Sequence, residues 1–137
     1  MAAFNKYDCF VGDLGLKLHN LNTDTLKVML SNHQPVVEDT VYTVGDDVAT
    51  GGGYTRSDAS YDIANTYSQT AGLGTLAGTD VTFYATTGFG PFQFVVLYND
   101  TAAAKNLIGW WDYASSVTLA ALETFKVDFS TSVLTLQ

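Results

Sequence analysis

Phe92-Gln93-Phe94-Val95-Val96-Leu97-Tyr98, closed by Asn99-Asp100 and answered by Leu107-Ile108-Gly109-Trp110-Trp111-Asp112-Tyr113, is the stretch that decides the fold. Successive strand residues point to opposite faces, so Phe92, Phe94, Val96 and Tyr98 fall on one face and Val95 and Leu97 on the other. Both faces are apolar, which predicts a central strand covered on both sides, with an N-terminal helix as one of the covers. In the second segment Leu107, Gly109, Trp111 and Tyr113 share a face, and Ile108, Trp110 and Asp112 share the other. Adjacent tryptophans on a strand cannot enter the same core layer. Asp112 sides with Trp110, so Trp111 is the expected core residue and Trp110 the expected contact residue.

Outward from this pair, the same two-residue period recurs. Leu26, Val28 and Leu30 alternate with Thr25, Lys27 and Met29, which predicts a strand over 24–31 with one face buried. Further strands are expected over 54–57, 61–69, 79–86, 91–98, 107–113, 123–129 and 133–136. Gly72 and Gly74, Gly88 and Gly90-Pro91, Asn99-Asp100, and Ser130-Thr131-Ser132 supply the turns between them. No repeat period is visible, which argues against a solenoid or propeller. The succession predicts a mainly β chain, a single domain over 1–137, built as an antiparallel, jelly-roll-like β-sandwich. Residues 32–53 read as loop: Pro35, a short helical turn over 39–44, Asp46-Asp47, and Gly51-Gly52-Gly53, a flexible tip or unusual backbone angles.

Ahead of the strands, Phe4, Tyr7, Phe10, Val11, Leu14 and Leu18 recur every three or four residues, which predicts an amphipathic helix over 4–19. Gly12 and Gly15 weaken it by up to about 1 kcal/mol each, so packing must hold residues 1–20 helical, either on the chain's own sheet or on a neighbouring subunit. Phe4, Tyr7, Phe10, Val11, Leu14 and Trp110 are therefore the candidate interface residues. The 32–53 loop is the other candidate contact surface.

Of the 137 residues, 47% are hydrophobic, 13% aromatic and only 15% charged. Soluble monomers carry about 25% charged residues, so part of this surface is expected to lie under a partner. The net charge of −8 repels phosphate, and Lys6, Lys17, Lys27, Arg56, Lys105 and Lys126 are scattered without forming a basic stripe. Nucleic-acid and acidic-membrane binding are not expected. The opening Met1-Ala2-Ala3-Phe4-Asn5-Lys6 lacks a signal-peptide pattern, and the apolar run Phe94–Tyr98 is too short to span a bilayer. Cys9 is alone and reads as a buried helical thiol, and the sequon Asn99-Asp100-Thr101 reads as a turn.

Catalytic patterns are sparse. A nucleophilic triad would need a histidine beside a nucleophile, and the two available, His19 at the expected helix end and His33 in a loop, read as structural and surface residues. One cysteine and two distant histidines do not make a zinc site. Asp46-Asp47 beside Gly45, or Asp58 with Asp62, could face calcium but match no calcium-loop pattern, so they read as solvated acids. Glu38 and Glu123 fix no acid–base pair, and Gly51-Gly52-Gly53 leads into a strand, not the helix N-terminus that a phosphate cradle requires. The expectation is no enzyme, no cofactor and no metal. Trp110, Tyr113, Tyr84 and Tyr54 could form a sugar-stacking platform, which keeps a carbohydrate-binding module for host attachment as an alternative.

Val96-Leu97-Tyr98-Asn99-Asp100-Thr101-Ala102, then Leu107 to Tyr113 and Ser115-Ser116-Val117-Thr118-Leu119, resembles a family of small proteins encoded among the head genes of tailed bacteriophages. The opening Met1 to Lys6 and Asp24-Thr25-Leu26-Lys27-Val28 resemble the same family, and the likeness is weak over about 32–79. Where that family typically has Ala-Asp-Gly-Glu-Thr, this chain has Ala120-Ala121-Leu122-Glu123-Thr124, without the Asp-Gly turn. The resemblance implies a virion structural protein, a capsid decoration or cement protein on the capsid exterior. Its implied partner is the major capsid protein, and it would be made in the host cytoplasm and act as a homo-oligomer, a dimer or trimer. A head–tail or tail-associated component is the alternative within the phage. The resemblance carries over no catalytic residues.

Overall fold

A computed structural model describes residues 2–137. Among them, nine strands and one short helix follow in the order β1 (Phe4–Lys6), α1 (Asp8–Gly15), β2 (Leu26–Ser31), β3 (Thr66–Thr70), β4 (Leu73–Ala77), β5 (Val81–Tyr84), β6 (Gly88–Asn99), β7 (Leu107–Ala120), β8 (Thr124–Val127) and β9 (Leu134–Leu136). All pairings are antiparallel. The sheets run β1-β7-β6-β2, β3-β4-β9 and β5-β8. The chain is therefore the mainly β, sandwich-like antiparallel fold with an N-terminal helix that its period predicts. The sheets have four, three and two strands, so the sandwich is not built from the two four-stranded sheets of a jelly roll.

The β6–β7 hairpin is the spine. Val95 pairs with Trp111 and Val96 with Trp110. Val95, Leu97, Ile108 and Trp111 enter the main core, where Leu26, Val28 and Leu30 of β2 meet Leu76, Phe83, Val127 and Leu134 from the two smaller sheets. Val96, Tyr98, Leu107 and Trp110 face the opposite side and pack with Tyr7, Met29 and Tyr42 in a second cluster. The central strand is thus covered on both faces, and Trp111 is the core tryptophan. Two details depart from simple alternation. Register shifts on either side of Phe92 turn it into the main core, and a shift between Leu97 and Tyr98 places Leu107 on the Trp110 face. Each such bulge inserts residues into one strand and so resets which face the next side chain meets.

The N-terminal segment is corrected most. Instead of one helix over 4–19, Phe4–Lys6 pairs as a strand with Gly109–Trp111, and the helix spans only Asp8–Gly15. Pairing satisfies the free edge of β7 and sets the Phe4 ring 5.3 Å from Trp111, a gain that a helical Phe4 would forgo. The helix ends in a Schellman motif. Leu18 N–H donates to Asp13 O at 2.9 Å and Lys17 N–H to Leu14 O at 3.2 Å, with Lys17 at φ +67° in the position glycine usually takes. That reversal sends His19 and Leu21 inward, and both are buried.

The outer edge of β2 is closed by the loop that follows it. Leu30 O accepts from Val48 N–H at 3.0 Å, and Leu26 O accepts from Ile63 N–H at 3.0 Å. Leu30 N–H donates to the Tyr54 hydroxyl at 3.1 Å. Tyr54 therefore turns inward, and 54–57 is not the strand expected; likewise 61–69 becomes strand only from Thr66. The helical turn expected over 39–44 lies at Val44–Asp46, as a 3-10 turn. The three glycines take the second of their two expected roles. Gly51, Gly52 and Gly53 all have positive φ, and a Cβ on Gly52 would lie 1.8 Å from Gly88 O.

Candidate binding face

A groove of about 770 Å³ opens beside the end of α1. Leu14, Leu18 and Leu21 form one wall, Ala102, Ala103 and Ala104 the other, and Tyr67 and Leu136 reach in from the small sheet. The Schellman reversal builds the first wall and the turn after β6 builds the second. In that turn Asn99 Oδ1 accepts from Thr101 N–H at 3.0 Å and Ala102 N–H at 3.2 Å, so Asn99-Asp100-Thr101 is the turn its sequence predicts. The helix and the reversal after it leave large apolar side chains in solvent: Val11 is 59% exposed, Leu16 75% and Leu18, on the groove wall, 45%. Val36, Val37, Val41 and Val44 are exposed along the 32–53 loop, which meets the helix where Asp8 N–H donates to Val37 O at 3.0 Å.

The candidate interface residues divide. Val11 is exposed, and Phe4, Leu14 and Trp110 are half-buried, with Leu14 on the groove wall. Tyr7 and Phe10 are corrections: they are buried within this chain, Tyr7 against the Trp110 ring at 4.6 Å and Phe10 in the main core beside His19. A stripe on an isolated helix has one apolar side, but the chain's own sheet takes that side first. Leu16 is the exposed residue that the helical period misses. The signal for it was Gly15, which ends the helix and turns Leu16 off the stripe.

The four aromatics do not share a face. Tyr54 is buried, Tyr113 packs edge-on to Phe125 in the main core, and Trp110 lies in the opposite cluster against Tyr7. Tyr84 alone among them is exposed. No common sugar platform results.

Most of the candidate titratable residues are engaged by neighbours within the chain. Cys9 is half-buried, and burial followed by the nearby Asp13 carboxylate pushes its thiol up to about 11, so it stays protonated and a poor nucleophile. Asp47 is buried and accepts from the Tyr54 hydroxyl at 2.5 Å and the Tyr42 hydroxyl at 2.7 Å, whereas Asp46 faces His33 at 3.8 Å. The pair therefore points in two directions and does not converge on a cation. Asp58 is spent on Ser60, and Asp62 faces the buried Lys27 ammonium at 3.4 Å. Glu123 accepts from Ala120 N–H and closes the turn before β8. Among the described residues no three His, Cys, Asp or Glu side chains gather as a metal site. His19 is not at a helix terminus; it is buried under the groove, bonded through Nδ1 to Asn99 at 3.0 Å.

No protein-family model matches the chain, and no curated protein and no solved structure is significantly similar to it.

Proposed function

We propose that the chain is a structural protein of a tailed-phage virion, a cement protein that binds the shell of major capsid protein from outside and reinforces it. The observation that carries this reading is the apolar face beside α1. Leu18, on the wall of a largely apolar groove, is partly in solvent, and Val11 of α1 and Leu16 just after it are exposed, on a chain with little ionic cover. A soluble protein rarely leaves such a face open unless another protein covers it. A protein that binds only the assembled shell stabilises that shell by mass action and needs no chemistry of its own. A dimer or trimer seated on a symmetry axis of the shell is the expected form.

Removing residues 1–20 would not test this, because Tyr7 and Phe10 would leave the core with them. The cleaner variant is Leu16→Asp with Leu18→Asp, which changes exposed side chains only. Burying each leucine is worth about 1.5–3 kcal/mol, so co-sedimentation with empty phage heads should weaken at least about tenfold per residue while the melting temperature stays near that of the parent. A folded double variant that binds heads as well as the parent would overturn the proposal.

A further inference from the structure

We propose that His19 is an acid-released clasp between the two walls of the groove. The hydrogen bonds around Asn99 fix the chemistry. Its Oδ1 accepts from Thr101 N–H and Ala102 N–H, so the other end of the amide is the NH₂ group. That nitrogen lies 2.7 Å from Asp24 Oδ2, 3.0 Å from His19 Nδ1 and 3.4 Å from Leu18 O. Because Asn99 can only donate there, Nδ1 must accept, and the neutral ring carries its hydrogen on Nε2. Asp24 in turn accepts from Asn20 N–H at 2.8 Å. Asn99 and His19 thereby tie the 18–24 wall to the turn that carries Ala102, Ala103 and Ala104.

A proton on Nδ1 would set two donors against each other at 3.0 Å, and the joint can only yield by moving apart. The groups facing the ring explain where it would go. From α1, Asp13 Oδ2 stands 4.0 Å from Nε2, which has no hydrogen-bond partner in the closed form, and the Phe10 ring lies 5.5 Å away. From the 20–24 turn comes Asp24; Asp100, next to Asn99, has its carboxylate occupied by Lys27 and Lys105. Lys17 lines the groove from the chain segment just before the ring. Burial disfavours the charged ring and holds His19 below its ordinary value, against the pull of Asp13 and Asp24. An imidazolium can leave Asn99 and swing toward Asp13, and the walls then separate.

The clasp stands on bonds within this chain, and only its consequence for docking rests on the proposed function. Nitrogen-15 NMR of the full-length protein tests it without any partner. At about pH 7.5 the ring should be the Nε2–H tautomer, with an acceptor-type Nδ1 resonance. As His19 takes up its proton below about pH 6.5, solvent exchange of the buried Asn99 NH₂, taken relative to a free amide, should rise about tenfold per pH unit. His19→Asn, whose Oδ1 replaces Nδ1 as acceptor, should keep Asn99 protected down to about pH 5. An Nδ1–H tautomer at neutral pH, protection that persists through the His19 titration, or loss of protection in His19→Asn at the parent's pH would each overturn the proposal. If His19→Asn does not fold, the tautomer and the exchange profile of the parent protein decide it alone.

Discussion

Replacing Tyr54 by Phe removes one oxygen from the joint that closes the β2 edge. The hydroxyl donates to Asp47 Oδ1 at 2.5 Å and accepts from Leu30 N–H at 3.1 Å, while the ring stays stacked on Tyr61 at 5.2 Å. Two losses follow: a hydrogen bond to a carboxylate, about 1.5–3 kcal/mol, and a buried backbone N–H left without an acceptor, about 1–3 kcal/mol. The two share one atom and do not add, so about 3 kcal/mol is expected. At about 2.1 cal/mol/K of unfolding entropy per residue, that lowers the melting temperature by about 10 °C. Tyr42→Phe is the control. It takes a donor from the same carboxylate but orphans no backbone group, so it should cost about half as much. Burial holds Asp47 above its ordinary value despite the two tyrosine donors, so its contribution to stability is fully present below the unfolded pKa and is lost as pH rises through the folded one. Losing a donor raises it further, and the Tyr54→Phe deficit should therefore shrink in acid. Calorimetry would refute the reasoning if Tyr54→Phe melted within about 2 °C of the parent, or if Tyr42→Phe cost as much.

Trp111→Ala should cost about 3–5 kcal/mol by urea denaturation and Trp110→Ala clearly less, since only Trp111 lies in the main core. Gly52→Ala should destabilise by more than about 2 kcal/mol or leave the protein insoluble, because its Cβ would meet Gly88 O at 1.8 Å. Stability should fall in acid in two stages visible in the urea midpoint. His19 is held low, so its stabilising effect is complete above its unfolded value of about 6.5 and drains away as pH falls below it. Asp100 follows: burial pushes it up, but Lys105 and Lys27 outweigh that and hold it low, so its share is lost as pH falls through its folded value, below the ordinary 3.8. Asp47 works in the opposite direction and blunts the lower stage.

Much of the architecture was legible because strand pairing follows a two-residue period that survives packing. The strands at Leu26–Ser31 and from Leu107 and the inward Trp111 follow from it, although β2 is buried on both faces and not on one as its alternation predicts, and the turn at Asn99-Asp100 follows from its residue types. What failed depended on choices made by distant partners. Phe4 is strand because β7 offers a free edge, and Phe92 changes face because inserted residues shift its register. β4 was hidden because Gly72 and Gly74 read as one break. Ala71 and Gly72, both at positive φ, form the two-residue turn, and Gly74 sits inside the strand, where a Cβ would meet the Tyr67 hydroxyl at 1.8 Å. The candidate face was half legible. A three-to-four-residue period marks an apolar stripe but does not say which members the chain keeps for itself, so it neither separates the buried Tyr7 and Phe10 from the exposed Val11 nor marks Leu16.

The most direct test of the account is a reconstruction of the phage head with and without this protein. Difference density should repeat across the whole lattice, over junctions between capsid subunits, with α1 and its groove turned toward the shell. Density confined to a single ring at the neck or tail, or a head that gains nothing, would contradict it.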